Sequence, residues 1–104
     1  MPMNDAVKGL AVAVGSNTEI GLAATKPTLL FGYNLKAGTV AATISFLNGS
    51  SGTSLWSDAC KAQTAAGDVT ISVMFPYPII FGLGLYVTLA GTAATANVIY
   101  KDVI

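Results

Sequence analysis

The residues able to do chemistry are few and scattered. Cys60 stands beside Lys61, and a neighbouring ammonium can activate a thiolate as a nucleophile. On a strand, however, adjacent side chains point to opposite faces, so Cys60 reads as a small core residue. Asp58 and Asp68 are the closest pair of acids, and paired carboxylates can serve as general acid and base. A loop-like segment separates them, and both read as solvated charges. Gly82-Leu83-Gly84 begins like a phosphate-binding loop, but no G-x-G-x-x-G or G-K-[ST] follows. Such glycines also serve a bulge or a close backbone approach at the start of a strand. Asn48-Gly49-Ser50 fits a glycan-acceptor pattern, and without a secretion signal it reads as a tight turn. Trp56, Phe75, Tyr77, Phe81 and Tyr86 could line a groove for a sugar or a base, although aromatics on alternating strands more often form core or interface. No catalytic, cofactor-binding or metal-ligating set emerges, and the chain is expected to be no enzyme and to need no cofactor.

Composition narrows the classes further. The 104 residues contain no His and no Arg, and five Lys balance five acids. Without His, neither a Ser-His-Asp triad nor a His-containing metal site can form. Without Arg or net positive charge, little is left to neutralise phosphates, so no nucleic-acid partner is expected. One cysteine permits no internal disulfide. Between Val69 and Tyr100 lie 32 uncharged residues, long enough to raise the question of a membrane span. Pro76, Pro78, Gly82, Gly84 and Gly91 interrupt that stretch, and its apolar residues alternate with period two, so no membrane role is expected. The N-terminus lacks the shape of a signal peptide, which predicts a soluble chain made in the cytoplasm.

The elements that would carry these residues are short and β-rich. Thr28 to Lys36 alternates Leu29, Phe31, Tyr33 and Leu35 against Leu30, Gly32, Asn34 and Lys36. Val40 to Leu47 places Val40, Ala42, Ile44 and Phe46 on one face. Asp68 to Phe75 does the same with Val69, Ile71, Val73 and Phe75, after which Pro76-Tyr77-Pro78 is expected to form an extended connection. Thr53 to Lys61, Leu83 to Leu89 and Ala96 to Lys101 are further strands. Glu19 to Thr25 is another short run, Gly15-Ser16-Asn17 reads as a turn, and Ser57 to Ala66 could hold a single helical turn. These runs predict an all-β fold: one antiparallel β-sandwich, jelly-roll-like, of about seven strands. Residues 1–17 are expected to form an N-terminal arm or first strand, and 18–104 the sandwich domain.

The surface arithmetic points to assembly. Only 10% of the residues are charged, against about 25% in a typical soluble domain. Ala, Gly, Thr and Ser account for 45 of the 104 and fill many outward positions. Small uncharged residues suit close backbone approach, charge depletion marks the buried cores of interfaces, and sheet edges with few Lys invite pairing unless covered. Covering by copies of the chain or by a partner lattice is therefore expected.

Three stretches give this reading a particular shape: Gly32-Tyr33-Asn34-Leu35-Lys36, then Pro78-Ile79-Ile80-Phe81 with Gly84-Leu85-Tyr86-Val87, then Asn97-Val98-Ile99-Tyr100-Lys101. Spanning residues 28 to 101, they resemble small β-sandwich virion structural proteins of tailed bacteriophages, capsid decoration (cement) proteins and head- or tail-associated proteins among them. The resemblance implies a virion protein that stabilises the head as a symmetric homo-oligomer, with a trimer favoured and the major capsid protein or other virion proteins as partners. The alternative is a tail or fibre-associated domain that recognises a host glycan through Trp56, Tyr77 and Tyr86 in an open cleft.

Overall fold

Alternating apolar and small polar residues become strands because each strand then buries one face and leaves the other in water. A computed structural model describes residues 8–12, 14–20, 27–50, 52–62 and 70–102. They form eight strands: β1 (Lys8–Val12), β2 (Gly15–Ile20), β3 (Thr28–Lys36), β4 (Ala42–Asn48), β5 (Ser54–Cys60), β6 (Thr70–Phe81), β7 (Leu85–Ala90) and β8 (Thr95–Asp102). The division expected after Asn17 falls inside β2. Residues 1–7 and 21–26 lie outside the described part, as does most of the run expected from Glu19 to Thr25.

β1 pairs with β8, β2 with β7, β3 with β6 and β4 with β5, all antiparallel. The first half of the chain thus lies against the second half as one long folded ribbon. Pairing of β3 with β8 and of β4 with β7 rolls this ribbon into two sheets, β1-β8-β3-β6 and β2-β7-β4-β5. The result is the expected antiparallel sandwich, with the nested connectivity of a jelly roll. Ala42, Ile44 and Phe46 of β4, Leu85, Val87 and Leu89 of β7, and Ala96, Val98 and Tyr100 of β8 all face the core, in the phase their alternation predicts.

Strand β3 departs from simple alternation. Thr28 and Leu30 are buried, and so are Tyr33 and Leu35, so the inward phase changes at Phe31 and Gly32. The register accounts for it: Leu30 pairs with Tyr100 and Gly32 with Ile99, which leaves Phe31 as an extra residue against β8. Leu29 therefore belongs to the outer face, contrary to the regular pattern. A bulge of this kind adds a residue to one strand and reverses the faces beyond it.

On the other side of β3, residues 75–78 of β6 stand opposite Phe31 alone. Pro76-Tyr77-Pro78 sits in that excursion, and β6 continues to Phe81 rather than ending at Phe75. The prolines are tolerated because β6 is an edge strand and the excursion interrupts the ladder, where a missing N–H matters least.

Gly15, Ser16 and Asn17 also differ from expectation, lying in β2 with a register shift between Gly15 and Thr18. Ser57 to Cys60 is strand, not helix, and residues 63–69 lie outside the described part. At the other end the Asn48-Gly49 turn behaves as read, while Gly82 and Leu83 form a turn before β7 rather than a bulge within it. Gly49 takes a φ of 94° after Asn48, Gly52 N–H donates to the Gly49 carbonyl at 3.2 Å, and Gly84 N–H donates to the Phe81 carbonyl at 3.1 Å. The Asn48 side chain accepts from Leu83 N–H at 2.8 Å, tying the two turns together.

At Gly32 the backbone of β6 lies directly against β3. A methyl group there would overlap the Val73 carbonyl oxygen and the Met74 sulfur. Gly32→Ala should lower the unfolding free energy by about 2 kcal/mol, the usual scale for overpacking a closed site, measured by urea denaturation. An unchanged midpoint would mean that β6 moves aside freely.

Candidate functional site

Tyr33 is a polar-tipped side chain in a row of aliphatic inward positions, so its hydroxyl must find a partner inside. The bulge in β3 turns it into the core, where the residue is fully buried. From there it reaches the opposite sheet. Its hydroxyl donates to Asp58 Oδ2 on β5 at 2.6 Å and accepts from Trp56 Nε1, also on β5, at 2.8 Å. The Trp56 ring meets Phe75 of β6 edge-on, with centroids 4.9 Å apart at 80°. Tyr33 lies tilted against Phe46 at 5.0 Å and Phe75 at 6.3 Å. β5 and β6 end their respective sheets, so this cluster closes the sandwich along one open side.

The electrostatics fix the proton on the phenol. Burial first, then the hydrogen bond to the Asp58 carboxylate, push the Tyr33 pKa up from 10.0 to about 12, partly offset by the Trp56 N–H. Both effects penalise a phenolate. Tyr33 is thus a locked donor, and Asp58 is engaged at both oxygens because Oδ1 accepts from Ala59 N–H at 2.8 Å. The arrangement is suited to joining two sheets.

The other candidate residues fall in separate places. Asp58 is a half-buried strand residue and not a loop charge, while Asp68 lies outside the described part. Cys60 is buried, with its neighbour Lys61 exposed. Phe81 is fully buried at the end of β6. Tyr86 lies on β7, where its hydroxyl donates to Glu19 of β2 at 2.7 Å, and that hydrogen bond raises its pKa. Tyr77 projects from the β6 excursion at 83% exposure. Trp56 and Tyr86 are separated by β4, since Phe46 pairs with Trp56 and Leu47 with Tyr86.

Two further polar features lie elsewhere on the sandwich. Lys8 Nζ meets the buried Asp102 carboxylate at 3.2 Å across the β1–β8 pair. A concavity of about 200 Å³ lies across β3, β6 and β8, lined by Asn34, Lys36, Thr70, Thr95, Ala96 and Asn97. Among the described residues, no group of three or more His, Cys, Asp or Glu gathers to hold a metal, and no helix is long and apolar enough to cross a membrane. No family model, curated protein or solved structure matches the chain.

Composition alone did not single out Tyr33, although a tyrosine among inward aliphatic positions is itself a sign of a buried hydroxyl seeking a partner. Tyr33→Phe removes the donor to Asp58 and leaves the Trp56 N–H without its acceptor, so it should cost about 1–3 kcal/mol in chemical denaturation. The pH dependence has a definite sign. The folded state keeps a proton near pH 12 that the unfolded chain gives up near pH 10. Stability from this source is therefore complete below pH 10 and lost as the pH rises through 12. Ultraviolet difference titration should show a phenol ionising near pH 12 in the wild type that Tyr33→Phe lacks.

Proposed function

We propose that this chain is a bacteriophage virion structural protein, a capsid decoration or cement protein that stabilises the head as a homo-oligomer seated on the major capsid protein. The observation that carries the reading is the character of the outside. Leu55, Trp56, Met74, Tyr77 and Ile80, all on the neighbouring edge strands β5 and β6, are exposed, and β6 contains no charged residue along its twelve positions. An edge of this kind is a liability for a free monomer and an asset for an assembly subunit. The jelly roll is an architecture shared by viral capsid domains and lectins, so the fold is compatible with the reading without selecting it.

The glycan-binding alternative needs Trp56, Tyr77 and Tyr86 together in an open cleft. Tyr86 is only 7% exposed and hydrogen-bonded to Glu19, with β4 between it and Trp56. The geometry therefore favours assembly over sugar recognition.

The mechanism is burial of apolar surface, worth on the order of 25 cal/mol for each Å² removed from water. With so few charges at the contact surfaces, association should change little between low and high salt, because screening acts only on charges. Analytical ultracentrifugation across a salt series checks this; a steep loss of association with salt would point to ion pairing instead. The virion assignment is tested on particles. Purified virions should contain the chain at a copy number matching a lattice site, and particles lacking it should show empty density there and rupture at lower temperature. Virions without the chain would overturn the assignment.

A further inference from the structure

The open side of the sandwich carries two edge strands that are not equivalent. β6 is blunted: Pro76 and Pro78 lack N–H groups and lie in an excursion that breaks the strand's line. β5 has neither device. It runs from Ser54 to Cys60 without proline or lysine, and its one charge, Asp58, is turned inward to Tyr33. The Trp56, Phe75 and Tyr33 contacts hold this strand firmly against the core, and among the described residues no strand pairs with its outer side, although the Ala59 N–H is already taken by the Asp58 carboxylate. Among natural sheets, an unprotected edge of this kind is a template for strand addition.

We infer that β5 is a self-pairing edge, on which the β5 strand of a second copy of this chain adds antiparallel across a two-fold axis. This rests on the homo-oligomer reading above. A second copy fits better than a charged partner because the patch offers no charge to complement and matches itself. A two-fold axis also runs a strand antiparallel to its own copy, the pairing used by every strand of this fold. Leu55 is 41% exposed, Trp56 38% and Tyr77 83%, which leaves roughly 400 Å² of these three side chains open on each chain, given the size of such groups. Adding Ser54, Ser57, Ala59, Pro76 and the open backbone brings the surface near the ~600 Å² per partner at which specific interfaces begin. Pairing would join the two β2-β7-β4-β5 sheets into one continuous sheet of two copies. Because an isologous contact closes at two chains, a trimer would need a different surface.

Ser57 stands at the middle of β5, exposed, and hydrogen-bonded to Ser45 and Ser54 on the outer face. Under the two-fold it meets its own copy. Ser57→Lys would set two ammonium groups side by side and weaken the dimer by about tenfold or more. Ala11→Lys, on the exposed face of β1 at the opposite side of the sandwich, is the control. Light scattering after size exclusion and the emission of Trp56, the only tryptophan, are read together, with far-ultraviolet circular dichroism to check folding. The expected result is a wild-type dimer whose tryptophan emission shifts to longer wavelength on dilution, a Ser57→Lys monomer, and an unchanged Ala11→Lys dimer. An oligomer that survives Ser57→Lys, a three-chain assembly, or emission that ignores dissociation would overturn the edge pairing while leaving the assembly reading standing. A wild-type monomer at micromolar concentration would overturn both. Should Ser57→Lys fail to fold, the dilution response of the wild-type emission decides the matter alone.

Discussion

One extra residue in β3 organises much of this molecule. Phe31 stands between Leu30 and Gly32 without a partner on β8, and the inward phase of the strand changes across it. A strand with strict alternation could not bury both Leu30 and Tyr33. With the slip, both are fully buried, and the Tyr33 hydroxyl comes within reach of β5. The slip also faces the β6 excursion that carries Pro76, Tyr77 and Pro78. The tyrosine lock between the sheets and the blunting of one edge thus trace to the same irregularity. Bulges near sheet edges commonly re-aim a side chain or end a pairing, and this one does both.

The two open sides of the sandwich are finished differently. At the β1–β2 side, polar groups tie strands together: Lys8 to Asp102 across β1 and β8, and Tyr86 to Glu19 across β7 and β2. At the β5–β6 side, the tie is internal, through Tyr33, and among the described residues the two strands carry a single charge, Asp58, which is bound to Tyr33. Charged groups near an edge discourage pairing with other chains, and their absence permits it. The interior is correspondingly well satisfied: among the described residues, every buried side-chain nitrogen or oxygen has a hydrogen-bond partner. The larger side chains left exposed on β5 and β6 are mainly apolar: Leu55, Trp56, Met74, Tyr77 and Ile80.

The Tyr33 hydroxyl shows how a core can accept a polar atom without loss. Tyr33, Trp56 and Asp58 form a short chain in which each donor meets an acceptor at 2.8 Å or less. Removing one member of such a chain strands the next, so the three act as a unit. Packing of Phe46 and Phe75 against the same ring adds directional aromatic contacts. The edge strand β5 is held in place by interactions that lie behind it.

Much of the architecture could be read from residue order. Alternation in β4, β7 and β8 placed Ala42, Ile44, Phe46, Leu85, Val87, Leu89, Val98 and Tyr100 on one side each, and the structure buries those sides together. The Asn48-Gly49 turn was equally legible because its geometry depends on local conformational preference. The phase change in β3, the continuation of β6 through two prolines and the role of Asp58 were not. Each depends on which strand lies alongside: Phe31 is an extra residue only relative to β8, Pro76 and Pro78 are tolerable only because β6 is an edge, and Asp58 is useful only where Tyr33 arrives from the other sheet. Local periodicity and composition decided on their own that the chain makes a charge-poor β-sandwich, since a strand's two faces are set by its own residues. Register, edge position and the meeting of Tyr33 with β5 were decided by the tertiary structure, because a pairing partner far along the chain leaves no trace in the residues beside it.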